Sequence, residues 1–312
     1  MLKSKQMKLF FASLFAALIF FNMHLTGKTG DHQPEDQEQK PLFSFGVIAD
    51  VQYCACETAG ERFYNNSLTK LREAVSSLKA DSAEFLINLG DIIERDFVSY
   101  KPVLAIIDSS GLKTYHLTGN HDYMVGARHK KHLPLNMPSK EGYYSFKSKN
   151  FRFIVLDGNE ISIYGPGNKT AIKQAGDYIA ALKKEGNINA IDWNGGISTG
   201  QLGWLMAQLD EASAKEEKVI IFCHFPVFPE NMHNLLNYKE ILSALEKYNN
   251  VVAWFNGHNH AGNYGNFHMI HFITMKGMVE TETKGSYAIV EVYTNKIWIR
   301  GAGREKSQIL AY

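Results

Sequence analysis

Eight side chains able to bind a cation stand at the ends of apolar runs in this chain: Asp50, Gln52, Asp91, Asn120, His121, His224, His258 and His260. They offer oxygen or nitrogen and no thiolate, a mixture that suits a hard or borderline divalent ion. Imidazole is the commonest metal-binding side chain. His258 and His260 follow the apolar run Val251 to Phe255 and a glycine, the pattern of a buried strand entering a tight loop. Alone, a His-x-His pair is more often a surface or satisfied core pair than a ligand pair. The matching residues at four other run ends change that weighting. The set is too large for one catalytic ion that keeps open positions, and a fair number for two. Two ions ~3.5–4 Å apart form the clamp used for in-line displacement at phosphorus. One carboxylate must then bridge them, and Asp91, central in the series, is the candidate. Such ions would turn a shared water into attacking hydroxide near neutral pH and neutralise the non-bridging oxygens.

The elements that must position these residues can be read from the apolar periodicity. Strands are expected from Phe43 to Asp50, Glu84 to Asp91 and Thr114 into the loop at His121, then over Lys218 to His224 and Val251 to Phe255. Carboxyl ends of strands are where α/β sheets gather their chemistry. Amphipathic helices are expected over Leu68 to Leu78, Val103 to Ile107, Thr170 to Lys184, Ser198 to Ala212 and Tyr238 to Tyr248, with Ser198 or Thr199 as a cap. Tyr143 to Phe146 and Phe151 to Asp157 alternate like an antiparallel hairpin. Ile161 to Asn194 forms a long insertion with a turn over Gly165 to Gly167, and short alternating strands fill Phe267 to Ile299. The predicted class is α/β (α+β): two mixed sheets packed as a sandwich, with helices outside.

The composition is ordinary for a globular protein, and the length suffices for one large domain or two small ones: 312 residues, 45% hydrophobic and 21% charged, with net charge +1. No basic field points to nucleic acid, and no acidic tail is present. The three cysteines are too few for a disulfide framework. Cys54 and Cys56 are expected as free thiols, too close for an easy bridge, and Cys223 as a small buried residue. Lys3, Lys5 and Lys8 precede the apolar run Leu9 to Phe21, followed by a polar stretch from Thr26 to Lys40. This is the pattern of an export signal, either cleaved or kept as an N-terminal membrane anchor, and it places the protein in the periplasm or outside the cell. The division is therefore residues 1–40 as signal or anchor plus linker and 41–312 as one folded domain, its oligomeric state left open.

The order of the blocks resembles the calcineurin-like metallophosphoesterases: Asp50 with Gln52, Gly90-Asp91, Gly119 to Asp122, His224, and Gly257 to His260. By that resemblance Asp50, Gln52, Asp91 and His260 hold one ion, and Asp91, Asn120, His224 and His258 hold the other. His121 then stands beside the leaving-group oxygen as general acid or transition-state donor. Gln52 departs from the broad pattern, which has histidine there. An amide is the weaker ligand, so that ion is expected to be held less tightly and to favour Mn2+ over Zn or Fe; Co also fits the donors. Asp-x-Gln, with Arg62 to Leu68, Asn194 to Ser198, Gln201 to Leu205, Gly277 to Thr281 and Gly301 to Arg304, is similar to the manganese-dependent ADP-ribose/CDP-alcohol diphosphatases. That resemblance implies hydrolysis of a nucleotide pyrophosphate; the runners-up are a broader phosphodiesterase or phosphomonoesterase and a non-catalytic metal-binding relative. For the substrate, Arg62 offers a planar fork to a distal phosphate, although a surface or capping arginine is as good a reading. Asn194 and Gly195 offer backbone N–H groups to phosphate or sugar, although a plain turn is the commoner use. Tyr53, Trp193, Phe228 and Tyr264 are candidate base-stacking rings, each more often core.

Overall fold

The computed structural model describes residues 40–166 and 169–312. The expected export segment falls outside the described residues, as does Gly167 of the expected turn. Among the described residues no helix is long and apolar enough to cross a membrane.

Two six-stranded mixed sheets pack face to face. In chain order the strands are β1 (Phe43–Ile48), β2 (Phe85–Asn88), β3 (Lys113–His116), β4 (Tyr144–Ser148), β5 (Phe151–Val155) and β6 (Lys218–Phe222). They continue as β7 (Val251–Asn256), β8 (Asn263–Phe267), β9 (Ile270–Thr274), β10 (Ser286–Val292), β11 (Lys296–Gly303) and β12 (Gln308–Ala311). One sheet has the order β12-β11-β10-β1-β2-β3 and the other β4-β5-β6-β7-β9-β8. Alternation along β1 sends Phe43, Phe45 and Val47 between the sheets and Ile48 outward. Phe45 stacks on Phe85 at 5.2 Å and meets Phe153, Phe222 and Phe255 edge-on, so aromatic side chains from both sheets fill one core.

The outer faces are covered by helices. Leu71, Val75 and Leu78 of α1 (Ser67–Ala80) and Val103 and Ile107 of α2 (Tyr100–Ser109) cover the first sheet. Leu205 and Leu209 of α4 (Thr199–Ala214) and Ile241 and Leu245 of α5 (Tyr238–Leu245) cover the second. The predicted insertion helix is α3 (Lys169–Lys184). Ser198 caps α4, its side chain accepting from the Gln201 N–H.

β1, β2 and β3 pair in parallel, and so do β5, β6 and β7. Their carboxyl ends carry the ligand-type residues, which is why loops far apart in sequence meet. The tail differs from expectation. β9 pairs in parallel with β7, β10 crosses to pair antiparallel with β1, and β12 lies beyond the predicted strands. Local alternation marks a strand but does not choose its partner.

His116, on β3, is buried beside Asn88, whose Nδ2 lies 3.2 Å from the ring Nδ1. Burial pushes its pKa down to about 4. The unfolded chain, with a histidine near ~6.5, binds the proton first, so stability is lost as pH falls from there towards 4. A difference of this size amounts to about 3 kcal/mol. His116→Gln is expected to flatten the acid decline in urea midpoint, measured as the wild-type minus variant difference across that window.

Candidate metal centre

The ligand-type residues converge at one floor. Ligand atoms of Asp91, His224 and His258 all lie within 4.8 Å of one another. His224 Nε2 is 3.2 Å from an Asp91 oxygen, and His260 Nε2 is 3.4 Å from Asp50 Oδ1. Gln52 Nε2 donates to Asp91 Oδ2 at 3.3 Å. Asp91 therefore touches residues of both predicted ligand sets. Asp50, Gln52, Asp91 and His258 all have positive φ, between 41° and 68°. Left-handed backbone at non-glycine residues costs on the order of 1–3 kcal/mol each and gathers at functional sites.

Glycines let these loops close. A Cβ on Gly119 would stand 2.1 Å from Asp91 Oδ1 and 2.6 Å from His224 Cε1. One on Gly257 would stand 2.5 Å from Asp50 Oδ2. Gly119→Ala is thus expected to displace Asp91 and His224, lowering stability by ~1–3 kcal/mol and abolishing tight metal binding. Chemical denaturation and a metal titration check the two effects separately.

Asp122 welds the loops after β2 and β3. Its carboxylate accepts from the N–H groups of Asp91, Ile92 and Gly119 and from the Tyr100 hydroxyl, at 2.8 to 3.2 Å. Burial, reinforced by Asp91, raises its pKa to about 7. Asp91 goes the other way. Burial alone would raise its pKa, yet His224 and His121 outweigh it and hold the carboxyl far below the usual range. His224 is correspondingly raised to about 9, its burial outweighed by Asp91.

The residues fit a pair of divalent ions. Gln52 Oε1 and Asn120 Oδ1 are buried without a hydrogen-bond partner, and an orphaned buried acceptor is costly unless something binds it; His224 Nε2 has only the Asp91 carboxylate, 3.2 Å away. The donors are all oxygen and nitrogen. Each histidine is also oriented from behind. His224 Nδ1 meets the Leu89 carbonyl at 2.8 Å, His258 Nε2 meets Asn194 Oδ1 at 2.9 Å, and His260 Nδ1 meets Glu280 Oε1 at 2.7 Å.

A cleft of about 560 Å³ opens over this floor. His121 lines it, with Nδ1 held by the Glu94 carboxylate and carbonyl at 3.1 Å, which leaves Nε2 for a ligand. Burial would lower the pKa of this ring, but Asp91 and Glu94 raise it to about 9. Arg62 lines one wall, and Trp193, Tyr164, Met124, Met232 and His233 line others.

Two substrate expectations need correcting. Asn194 is fully buried, and its Nδ2 donates to the Asn189 and Met232 carbonyls at 2.9 and 2.8 Å while its Oδ1 serves His258. It orients a histidine, and the backbone N–H expected to meet a substrate is taken by the Ile191 carbonyl at 3.1 Å. Gly195 packs behind it, where a Cβ would strike the Gly158 carbonyl at 2.0 Å. Of the four candidate stacking rings, Trp193 lines the cleft. Tyr53 lies at a bridge to Ile93, Phe228 packs on Phe267 and Phe272, and Tyr264 lies against His271. Cys54 and Cys56 form a disulfide, against the expectation of free thiols: the turn between them sets their Cα atoms 5.2 Å apart, within bridging range. Cys223 is free and buried, and burial pushes its thiol up to about 12, which disfavours a nucleophilic role.

Residues 43–262 match the family described as calcineurin-like phosphoesterase. The chain is 30% identical to a manganese-dependent ADP-ribose/CDP-alcohol diphosphatase of Xenopus laevis, over 88% of this chain and 92% of that one. The human protein of the same name is 29% identical over 87% of this chain and 93% of its own. Among solved structures, a dimetal phosphatase from Danio rerio superposes with a TM-score of 0.80 at 26% identity, over 88% of this chain and all of the other. The strand-end ligands, the paired sheets and this match agree: the chain is a metallophosphoesterase-type hydrolase and belongs to the calcineurin-like phosphoesterase family.

Proposed function

We propose that this enzyme hydrolyses the pyrophosphate of nucleotide diphosphate derivatives, of the ADP-ribose and CDP-alcohol kind, with two divalent ions and Mn2+ preferred. The observation that carries the reading is the make-up of the cleft: a ligand floor, a guanidinium beside it, and an aromatic wall at Trp193 and Tyr164. A pyrophosphate diester needs all three: charge neutralisation at the reacting phosphorus, a cation for the second phosphate, and a surface for a base. The names carried by the relatives support the same substrate class. When bound, the ions would supply Lewis acidity and an activated water. The Asp50, Gln52, Asp91 and His260 set and the Asp91, Asn120, His224 and His258 set would hold them. His121, held by Glu94, would give its proton to the departing phosphate oxygen. Arg62 would grip the phosphate that leaves.

The test is product analysis on Mn2+-loaded protein. ADP-ribose is expected to give AMP and ribose 5-phosphate with no inorganic phosphate, by phosphorus NMR. Phosphate released from AMP would favour a monoesterase. Export is part of this reading, resting on the Lys3-to-Phe21 pattern and on the Cys54–Cys56 bridge, a bond characteristic of oxidising compartments. Recovery of the protein in the cytosolic fraction alone would remove that part.

A further inference from the structure

The histidines at the floor are oriented by different kinds of group. On the side of Asn120, His224 and His258, the orienting atoms are neutral oxygens: the Leu89 carbonyl and the Asn194 amide. On the side of Asp50, Gln52 and His260, the orienting group is the Glu280 carboxylate, 2.7 Å from His260 Nδ1. Both partners are nearly buried, at 11% and 12% exposure. A carboxylate behind an imidazole raises its basicity as a ligand as well as fixing its tautomer. The anionic group thus stands on the side where His260 would be the single imidazole, beside Asp50, Asp91 and the amide Gln52, whereas the other set has two imidazoles, His224 and His258.

The carboxylate is built into place. Met278 and Val279 donate backbone N–H groups to the Ala49 and Asp50 carbonyls, at 3.1 and 3.0 Å, so the strip carrying Glu280 runs beside the strip carrying Asp50. Arg62 and Glu280 form a further backbone bridge. The fully buried Lys70 ammonium donates to the carbonyls of Val279, Glu280 and Thr281 at 2.9, 3.3 and 2.9 Å. Gly277 leaves room for the His260 ring, since a Cβ there would stand 2.6 Å from its Cγ. With Nδ1 taken by Glu280, Nε2 faces Asp50. The Arg62 guanidinium, 3.9 Å from the same Glu280 oxygen, draws on the charge less closely than the imidazole does.

We propose that Glu280 is a positioning residue for one of the two metal sites: it aims His260 and strengthens its donor nitrogen, compensating for the amide at Gln52. The inference rests on the two-ion reading above.

Isothermal titration of the full chain with Mn2+ tests it. Wild type is expected to bind two ions per chain. Glu280→Gln is expected to bind one ion as wild type does and the other ~10- to 100-fold more weakly. Adding Gln52→His to Glu280→Gln restores the imidazole that the site lacks and is expected to recover most of that loss. A carboxylate that merely staples the 277–281 loop would weaken both sites together, lower the melting temperature of the metal-free protein and gain nothing from Gln52→His; that result overturns the proposal, as does unchanged binding in Glu280→Gln. Should Glu280→Gln melt early without metal, Glu280→Asp, which keeps the charge but shortens the reach, must show the same selective loss; equal binding of both ions by it counts against the proposal. Wild type that binds no Mn2+ removes the two-ion reading itself, an outcome distinct from two ions bound alike in wild type and variant.

Discussion

Asp91→Ala is expected to lower kcat by at least about 10³-fold and to remove the paired metal site. Asp91 lies against Gln52 from one ligand set and His224 from the other. Losing it separates the sites rather than weakening one. Lewis-acid stabilisation is worth several kcal/mol, and each ~1.4 kcal/mol is a factor of ten, which sets the expected size. Asp91 Oδ1 also accepts the His121 N–H at 2.7 Å, so the variant loosens the acid as well as the metals. Asp91→Asn keeps the shape and some of these hydrogen bonds but loses the charge. It should fail almost as badly in turnover while melting closer to wild type. Steady-state kinetics beside a metal count and a melting curve separate the electrostatic loss from a folding loss.

The second large effect belongs to His121. His121→Asn is expected to lower kcat by ~10²- to 10⁴-fold, the range for removal of a general acid, while Mn2+ stoichiometry stays at the wild-type value. The deficit should depend on the leaving group. A nitrophenyl phosphodiester departs without a proton, so the variant should lose far less on it than on ADP-ribose. An equal loss on both substrates would take the proton-donor role from His121. Glu94 holds the ring at Nδ1, so Glu94→Gln should show a smaller version of the same leaving-group dependence.

The candidate metal ligands are legible because each stands at the end of an apolar run, and their types and order reinforce one another. Asp50, Asp91, His224 and His258 need no knowledge of distant contacts to be noticed. The groups that aim them were not legible. Glu94 serves a residue 27 positions on, Glu280 one 20 positions back and Asn194 one 64 positions on. Nothing in local periodicity links such pairs. The two glycines after Asn194 suggest a substrate loop, whereas its burial and the contact of its Oδ1 with His258 make it an orienting residue. His233 and Tyr164 had no spacing signal, and only the folding of their loops over the cleft exposes them. The sandwich followed from alternation and from strand-helix order, but the crossing of β10 to pair with β1 did not, because pairing is decided by the packed sheets.

Electron paramagnetic resonance on protein titrated with Mn2+ bears most directly on the shared carboxylate. Two ions ~3.5–4 Å apart, bridged through Asp91, should give an exchange-coupled spectrum that grows in as the second equivalent binds and is absent in Asp91→Ala. Active protein that holds a single ion, or two ions whose spectra are those of isolated Mn2+, would contradict the bridge and the mechanism built on it.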